Sequence, residues 1–511
     1  MSVKIYTYSH YFKVIPDMQK VRELCGRFAQ DLVQWNTRSF RGKMIREPYK
    51  VFAASTRNRS EFRFHITLLD DFIHHLENHG IVYGNVEKIK VEYEPTTDPN
   101  VELKIKAGWK PMEHQVPILE YLDQQKVTAN NLVTLYTGGG KSYVSMQYAS
   151  NIGKRVIYLL RPAFMDKWWE DVHNTLELKK GDVVTVNGSD QLKGLLGMFS
   201  EPGYQLPKII LLSNKTYQSY LKLYEEYGRE ILDMGYDCLP EDLYAHLGVG
   251  IRFIDEVHLD FHLNFKADMY TNIPKAVAMS ASLVNQNPFL LRMYNIAYPQ
   301  NDRYKSPPPK KYIEAKAVFY KLQPDRRPQT SWPGRTDYSH GAFEKWIMKD
   351  EDLFDNYLAM LDNVIKGSYI ADYKPGDRLL VFCYSIDMAT RMAEYLTEQY
   401  PDKTVERYVE DDEYANVMEP DIRVSTVLSA GTGIDIKKLK VAIMTTAISS
   451  EQSNIQALGR LRELKDDDRP PIFIYFNCED VPKHMEYHLR KKELFSTRVK
   501  SLGERYYERK L

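Results

Sequence analysis

A chain of 511 residues is too long for one small fold and suggests about three domains. Its composition, 43% hydrophobic and 27% charged, is that of a globular protein with apolar surface for several cores. Lys plus Arg equals Asp plus Glu at 69 each, so a polyanionic partner would have to be held by locally clustered charge. The 37 tyrosines are a surplus to which the sequence assigns no role.

Cys25, Cys238, Cys383 and Cys478 lie far apart with no CxxC pair, which predicts free thiols in a reducing compartment and no zinc site. The start, Met1 to Tyr6, lacks an apolar signal region, and no run approaches the roughly 18 apolar residues of a membrane span. A cytoplasmic protein without a membrane partner is expected.

In chain order, residues 1–105 mix alternating runs (Val3 to Tyr8, Glu61 to Leu69, Lys88 to Tyr93) with a helix-like run from Asp70 to Asn78 that stops at Gly80. A small α+β domain is predicted. Residues 106–305 alternate apolar strands (Leu132 to Leu135, Val156 to Leu160, Ile209 to Leu212, Ile251 to Ile254) with helical stretches, the rhythm of a parallel sheet covered by helices. Ser306-Pro307-Pro308-Pro309 and the polar run from Gln323 to His340 place an interdomain connection at 306–345. From 346 to 511, Leu379 to Cys383, Ile422 to Val427, Val441 to Thr445 and Ile472 to Phe476 predict a second α/β lobe, closed by a helical tail from Lys483.

Asn131 to Leu135 reads as a strand, Tyr136 to Gly140 as a glycine-rich turn and Lys141-Ser142 as a helix start. Such a turn aims backbone N–H groups and a helix N-terminus at one point, where a phosphate chain is stabilised. Thr137, Gly138, Gly139 and Gly140 are therefore candidate phosphate-binding positions. Lys141 would reach the β- and γ-phosphates, and the Ser142 hydroxyl would ligate Mg2+. The strict pattern wants glycine where Leu135 stands, so on this loop alone a helix cap with a surface lysine remains open.

Gly250 to Ile254 is a strand that delivers Asp255-Glu256-Val257-His258 at its carboxyl end, the edge where ligands bind in a parallel sheet. Asp255 is placed to hold Mg2+ and Glu256 to orient and deprotonate the water that attacks a γ-phosphate. In isolation, two acids and a histidine also suit the start of a solvated loop. The order and separation of the two motifs, each after an apolar strand, favour the nucleotide reading.

These motifs make the chain resemble superfamily 2 helicases of the DExH type and, among them, the UvsW-like bacteriophage branch-migration helicases, over about Trp109 to Arg462. The resemblance implies two tandem RecA-like lobes behind a small α+β domain, ATP with Mg2+ as cofactors, and a single-stranded DNA track on branched or forked DNA. It also implies a host cytoplasm, if the chain is phage-encoded. By motif, Gln115 would read adenine, while Arg161-Pro162 and Thr216 would touch the tracked strand. His258, Ser280 and Ser282 would link hydrolysis to strand binding. In the second lobe Ser385 and Thr432 would touch the strand, and Gly433 and Asp435 would face the nucleotide. Gln456-Ala457-Leu458-Gly459-Arg460-Leu461-Arg462 would supply coupling through Gln456 and an arginine finger. Here the chain departs from the family, because Arg462 follows Arg460 by two positions; Arg460 is the first choice for the finger and Arg462 the second. A buried helix-start glutamine remains an alternative for Gln115, as does a plain turn for Ser280-Ala281-Ser282.

Between Arg38 and Arg63 basic residues (Arg38, Arg41, Lys43, Arg57 and Arg59 among them) outnumber acids, with Phe40, Tyr49, Phe52 and Phe62 interleaved. Basic residues among aromatics suggest a nucleic-acid surface; a solvated loop around core aromatics is the alternative. The expectation is an ATP-dependent helicase or translocase that unwinds or branch-migrates forked DNA. An RNA helicase, or a binding and annealing module with a weak ATPase, is the competing reading.

Overall fold

The structure, a computed structural model, describes residues 3–40, 43–49, 52–82, 86–90, 101–124, 130–136, 138–281, 287–305, 310–409, 412, 419–430, 436–464 and 467–511; for 34–40, 43–49, 86–90 and Ala430 only the backbone is described. The chain divides into two compact units, Met1–Leu135 with Gly139–Ser306, and Tyr136–Gly138 with Pro307–Leu511.

Two of the sheets described in the first unit, of five and seven strands, share a core. The amino-terminal one orders its strands as Ala54–Ser55, Phe62–His65, Tyr11–Ile15, Val3–Thr7 and Val86–Lys90, antiparallel except for the last pair. Helices Gln19–Gln30 and Leu69–Asn78 accompany it, the latter ending before Gly80 at φ 79°, a left-handed conformation that suits glycine. Val3, Ile5, Phe12, Val14 and Phe72 join one apolar cluster with Leu132, Ile157, Leu159, Ile210 and Leu212 of the second sheet. The α+β module expected over 1–105 is thus built onto the first lobe.

That second sheet has seven described strands, all parallel, in the order Val183–Val186, Ile209–Ser213, Arg155–Leu160, Val249–Ile254, Lys275–Ser280, Asn131–Thr134 and Arg303–Lys305. The strand before the glycine turn and the strand before Asp255 flank the same neighbour, Lys275–Ser280. Topology therefore brings together two loops more than a hundred residues apart in sequence.

The second unit repeats the plan: Val405–Tyr408, Ile422–Thr426, Arg378–Cys383, Leu439–Met444, Ile472–Cys478, Glu314–Tyr320 and Ser501–Tyr506, all parallel among the described strands. Alternation explains the double burial. Leu379, Val381 and Cys383 pack with helix residues such as Leu358 and Met392, while Leu380 and Phe382 pack on the opposite face with Ala457, Leu461 and Phe495. These two tandem parallel-sheet lobes behind an α+β module are the fold class the sequence suggests.

Two stretches differ from expectation. Residues 306–345, read as connection, contribute Glu314–Tyr320 to the interior of the second sheet and the start of helix His340–Lys349. The tail, read as helix, has one over Pro482–Ser496 and then the edge strand Ser501–Tyr506. Glu314 and Lys316 break the apolar run that marks a buried strand, and Ser501–Tyr506 is an exposed edge strand that has none.

Candidate nucleotide site

Strand Lys275–Ser280 fastens both motif loops. Leu135 N–H donates to Ser280 O at 3.0 Å and Val257 N–H to Met279 O at 3.1 Å. Gly138 and Gly140 have φ of 87° and 80°, a region hostile to side chains, and a Cβ on Gly140 would strike the Gln115 amide. Helix Lys141–Ile152 starts immediately afterwards. The loop thus turns at Gly140 through a backbone conformation that suits glycine, with the Gln115 amide packed against it.

Lys141 Nζ donates to Glu256 Oε1 at 2.6 Å, an ion pair whose side chains are 11% and 13% exposed. Glu256 itself has φ 44°, a left-handed conformation that costs a non-glycine residue roughly 1 kcal/mol. A carboxylate kept there at that cost points to use of the side chain. Asp255 is held from two sides, by Glu256 N–H on Oδ1 at 2.9 Å and by Trp168 Nε1–H on Oδ2 at 3.0 Å. Burial, then the neighbouring Glu256 charge, pushes the Asp255 carboxyl above its ordinary value, while Lys141 opposes the shift.

The donors suit Mg2+. Ser142 offers a hydroxyl at the helix start and Asp255 a carboxylate fixed by two N–H groups, all-oxygen ligation appropriate to a hard cation. Among the described residues no group of three or more His, Cys, Asp or Glu could hold a metal alone. Ligation here would be completed by phosphate and water, the usual habit of Mg2+.

From Glu256 a polar line runs to the next strand: His258 Nδ1 lies 3.5 Å from Glu256 Oε2 and 2.7 Å from Ser280 Oγ. Burial lowers the His258 pKa to about 4, so the ring is neutral at physiological pH. Ser282 and Thr137 lie outside the described residues, as do Thr432, Gly433, Asp435 and Arg41.

Several sequence-derived candidates are differently engaged. Gln115 is buried; its amide N–H donates to Gly139 O at 2.9 Å and its oxygen accepts Met112 N–H at 2.9 Å, so it braces the loop. Thr216 is buried, and its hydroxyl accepts Gly188 N–H at 2.8 Å. Arg161, followed by Pro162 at the start of a short 3-10 turn, pairs with Asp260 at 2.8 Å. The Ser385 hydroxyl donates to buried Glu344 at 2.8 Å and caps helix Ile386–Gln399.

In the second unit Arg460 is buried and its Nε–H donates to Gln456 O at 3.3 Å, whereas Arg462 is half-buried and lines a cavity of 370 Å³ with Lys374, Lys437 and Arg469. In the amino-terminal stretch Arg57 and Arg59 are exposed, and Arg38 and Lys43 fall on the hairpin Gln34–Phe40 and Lys43–Tyr49, of which only the backbone is described. Phe52 packs on Phe265 at 5.1 Å, Phe62 is buried, and Arg63 is enclosed by Glu61, Glu241 and the Tyr270 ring. Those aromatics and Arg63 are core.

Sequence reasoning missed Trp168, and no pattern in helix Met165–Thr175 distinguishes it from Trp169 beside it. It also missed the fully buried set under the two motif strands. Arg252 Nη2–H donates to Asp268 Oδ1 at 2.6 Å and to Asn130 Oδ1 at 3.1 Å, and Arg252 Nη1–H donates to Thr271 Oγ1 at 2.6 Å. An arginine inside an apolar strand was the available signal.

No protein-family model and no curated protein matches this sequence. Among solved structures, the chain is similar to S. cerevisiae Dbp5 bound to RNA and ADP BeF3 at a TM-score of 0.50 and 11% identity, over 78% of this chain and 90% of that one. Mycobacterium smegmatis helicase Lhr bound to ssDNA and AMP-PNP follows at 0.48 and 14%, over 77% and 49%. T4 UvsW aligns over 99% of this chain and 100% of its own at 0.33 and 11%. At such identities the likeness to Dbp5 speaks for the fold alone: two tandem RecA-like lobes.

Proposed function

We propose that the chain is an ATP-dependent nucleic-acid motor of helicase superfamily 2, of the DExH and UvsW-like kind, acting on forked or branched DNA. The observation that carries this reading is the Lys141 to Glu256 ion pair beside a two-point-held Asp255, at the carboxyl edge of a parallel sheet. In the resting site Glu256 neutralises Lys141. When a nucleotide enters, its phosphates take Lys141, and Glu256 is released to accept a proton from water. Ser142 and Asp255 would hold Mg2+, which supplies charge neutralisation at the phosphates.

The Glu256, His258 and Ser280 line offers a route from that carboxylate to the strand after which a track-binding loop is expected. Of the two candidate fingers we favour Arg462, because Arg460 is buried against its own helix. The amino-terminal contact is assigned to Arg57 and Arg59, with Arg38, Arg41 and Lys43 of the hairpin region as further candidates. The alternative track is RNA, the polymer in the Dbp5 structure. ATP-driven strand separation on a forked DNA, compared with a matched RNA duplex, tests the assignment: displacement of the fork alone supports it, and displacement of the RNA alone replaces DNA by RNA.

A further inference from the structure

Trp332 and Tyr384 stand on different segments of the second unit yet close over the same glycine. A Cβ placed on Gly341 would meet Tyr384 Cε1 at 2.7 Å and Trp332 Cζ2 at 3.6 Å, so the two rings flank a backbone position kept bare. Neither ring is core: Trp332 is 38% exposed and Tyr384 50%. Large apolar groups exposed singly are ordinary; two rings from different segments that meet over one glycine are not single.

The pair is held still. Tyr384 and Ser385 N–H donate to Glu344 at 2.7 and 2.9 Å, which fixes the turn after strand Arg378–Cys383. The Trp332 segment is closed by Arg335 N–H on Trp332 O at 3.0 Å and Ser339 N–H on Thr330 O at 2.8 Å. Charge around it is mixed, with Lys345 and Arg335 on the Trp332 side and the exposed carboxylates of Asp337 and Asp387 in the same two segments. Lys345 Nζ sits 5.7 Å from the Trp332 ring centre, and Lys345 and Arg335 are both exposed. Half-exposed rings with Lys345 and Arg335 beside them fit a strand that presents flat bases and a phosphate backbone.

We propose that Trp332 and Tyr384 form a base-stacking platform for single-stranded nucleic acid on the second lobe, with Lys345 and Arg335 on its phosphates. This rests on the motor reading and deepens it: the track would be gripped by its bases as well as its backbone, and duplex, whose bases are already stacked, would be excluded from the platform.

The test uses the full chain and two labelled oligonucleotides of equal length, one ordinary and one with abasic sites throughout its centre, in equilibrium binding at one salt concentration. Wild type is expected to bind the ordinary strand about 10-fold more tightly, since stacking contributes of that order per base. Trp332→Ala and Tyr384→Ala should each lower affinity for the ordinary strand and shrink that preference, while Trp332→Phe retains it. Unchanged melting temperature in the alanine variants certifies folding. Equal wild-type affinity for both strands, or a preference untouched in folded Trp332→Ala and Tyr384→Ala, overturns the platform and leaves the motor reading standing. Failure to bind either oligonucleotide removes both.

Discussion

Replacing Trp168 by Phe isolates a contact that the motif pattern does not contain. The indole N–H donates to Asp255 Oδ2 at 3.0 Å, and the ring, wholly buried, lies 4.6 Å from that of Tyr158. Phenylalanine keeps an aromatic ring in the pocket and removes the donor. A hydrogen bond to a charged group contributes about 1.5–3 kcal/mol, and loss of a partner that orients a metal ligand typically weakens metal binding about 10- to 100-fold. Because Asp255 keeps its other donor, Glu256 N–H, the lower end applies. ATP turnover measured against free Mg2+ at fixed ATP should therefore require about 10-fold more Mg2+ in Trp168→Phe, with near wild-type turnover at saturation. The smaller ring also leaves a void costing roughly 1–3 kcal/mol, so the titration is run well below the melting temperature of both proteins. An unchanged Mg2+ requirement in the folded variant would refute the view that Trp168 orients a metal-holding Asp255.

Arg252→Leu should destabilise the chain by about 3–5 kcal/mol in urea unfolding, because it strands Asp268 as a buried charge; a loss under 1 kcal/mol would show that the set contributes little. His258 couples stability to pH. Its pKa falls from 6.5 when unfolded to about 4 when folded, so its contribution is complete above pH 6.5 and is lost as pH drops towards 4, up to about 3 kcal/mol. Urea unfolding at pH 7 and pH 5 should show a smaller difference in His258→Gln than in wild type, and an equal difference would contradict the assignment. If Arg57 and Arg59 each meet a phosphate, their double alanine variant should reduce the slope of log affinity against log salt by about 1.8 on duplex DNA; an unchanged slope would remove them from the interface.

Interior strands with unbroken apolar runs, such as Ile209 to Leu212 and Leu379 to Cys383, were legible because they have one reading once turns bound them; Glu314–Tyr320, interrupted by charge, was not. Val183–Val186 and Arg303–Lys305 were not, being short edge strands. The phosphate cradle and the acid pair could be read from residue type and order. Their union on strand Lys275–Ser280, and the bracing by Gln115 and Trp168, could not, because these are contacts across the sheet between distant segments. The amino-terminal stretch shows the opposite failing. Phe52, Phe62 and Arg63 have the composition of a nucleic-acid surface, yet burial, which composition does not report, makes them core.

The central claim is that Lys141 and Glu256 are the two sides of an ATP-hydrolysing site driven by nucleic acid. Steady-state ATP hydrolysis of wild type, Lys141→Ala and Glu256→Gln, with and without single-stranded and forked DNA, tests it most directly. Stimulated turnover in wild type, none in either variant, and retained nucleotide binding in Glu256→Gln is the predicted result. Turnover absent from wild type, or undiminished in Lys141→Ala, would contradict it.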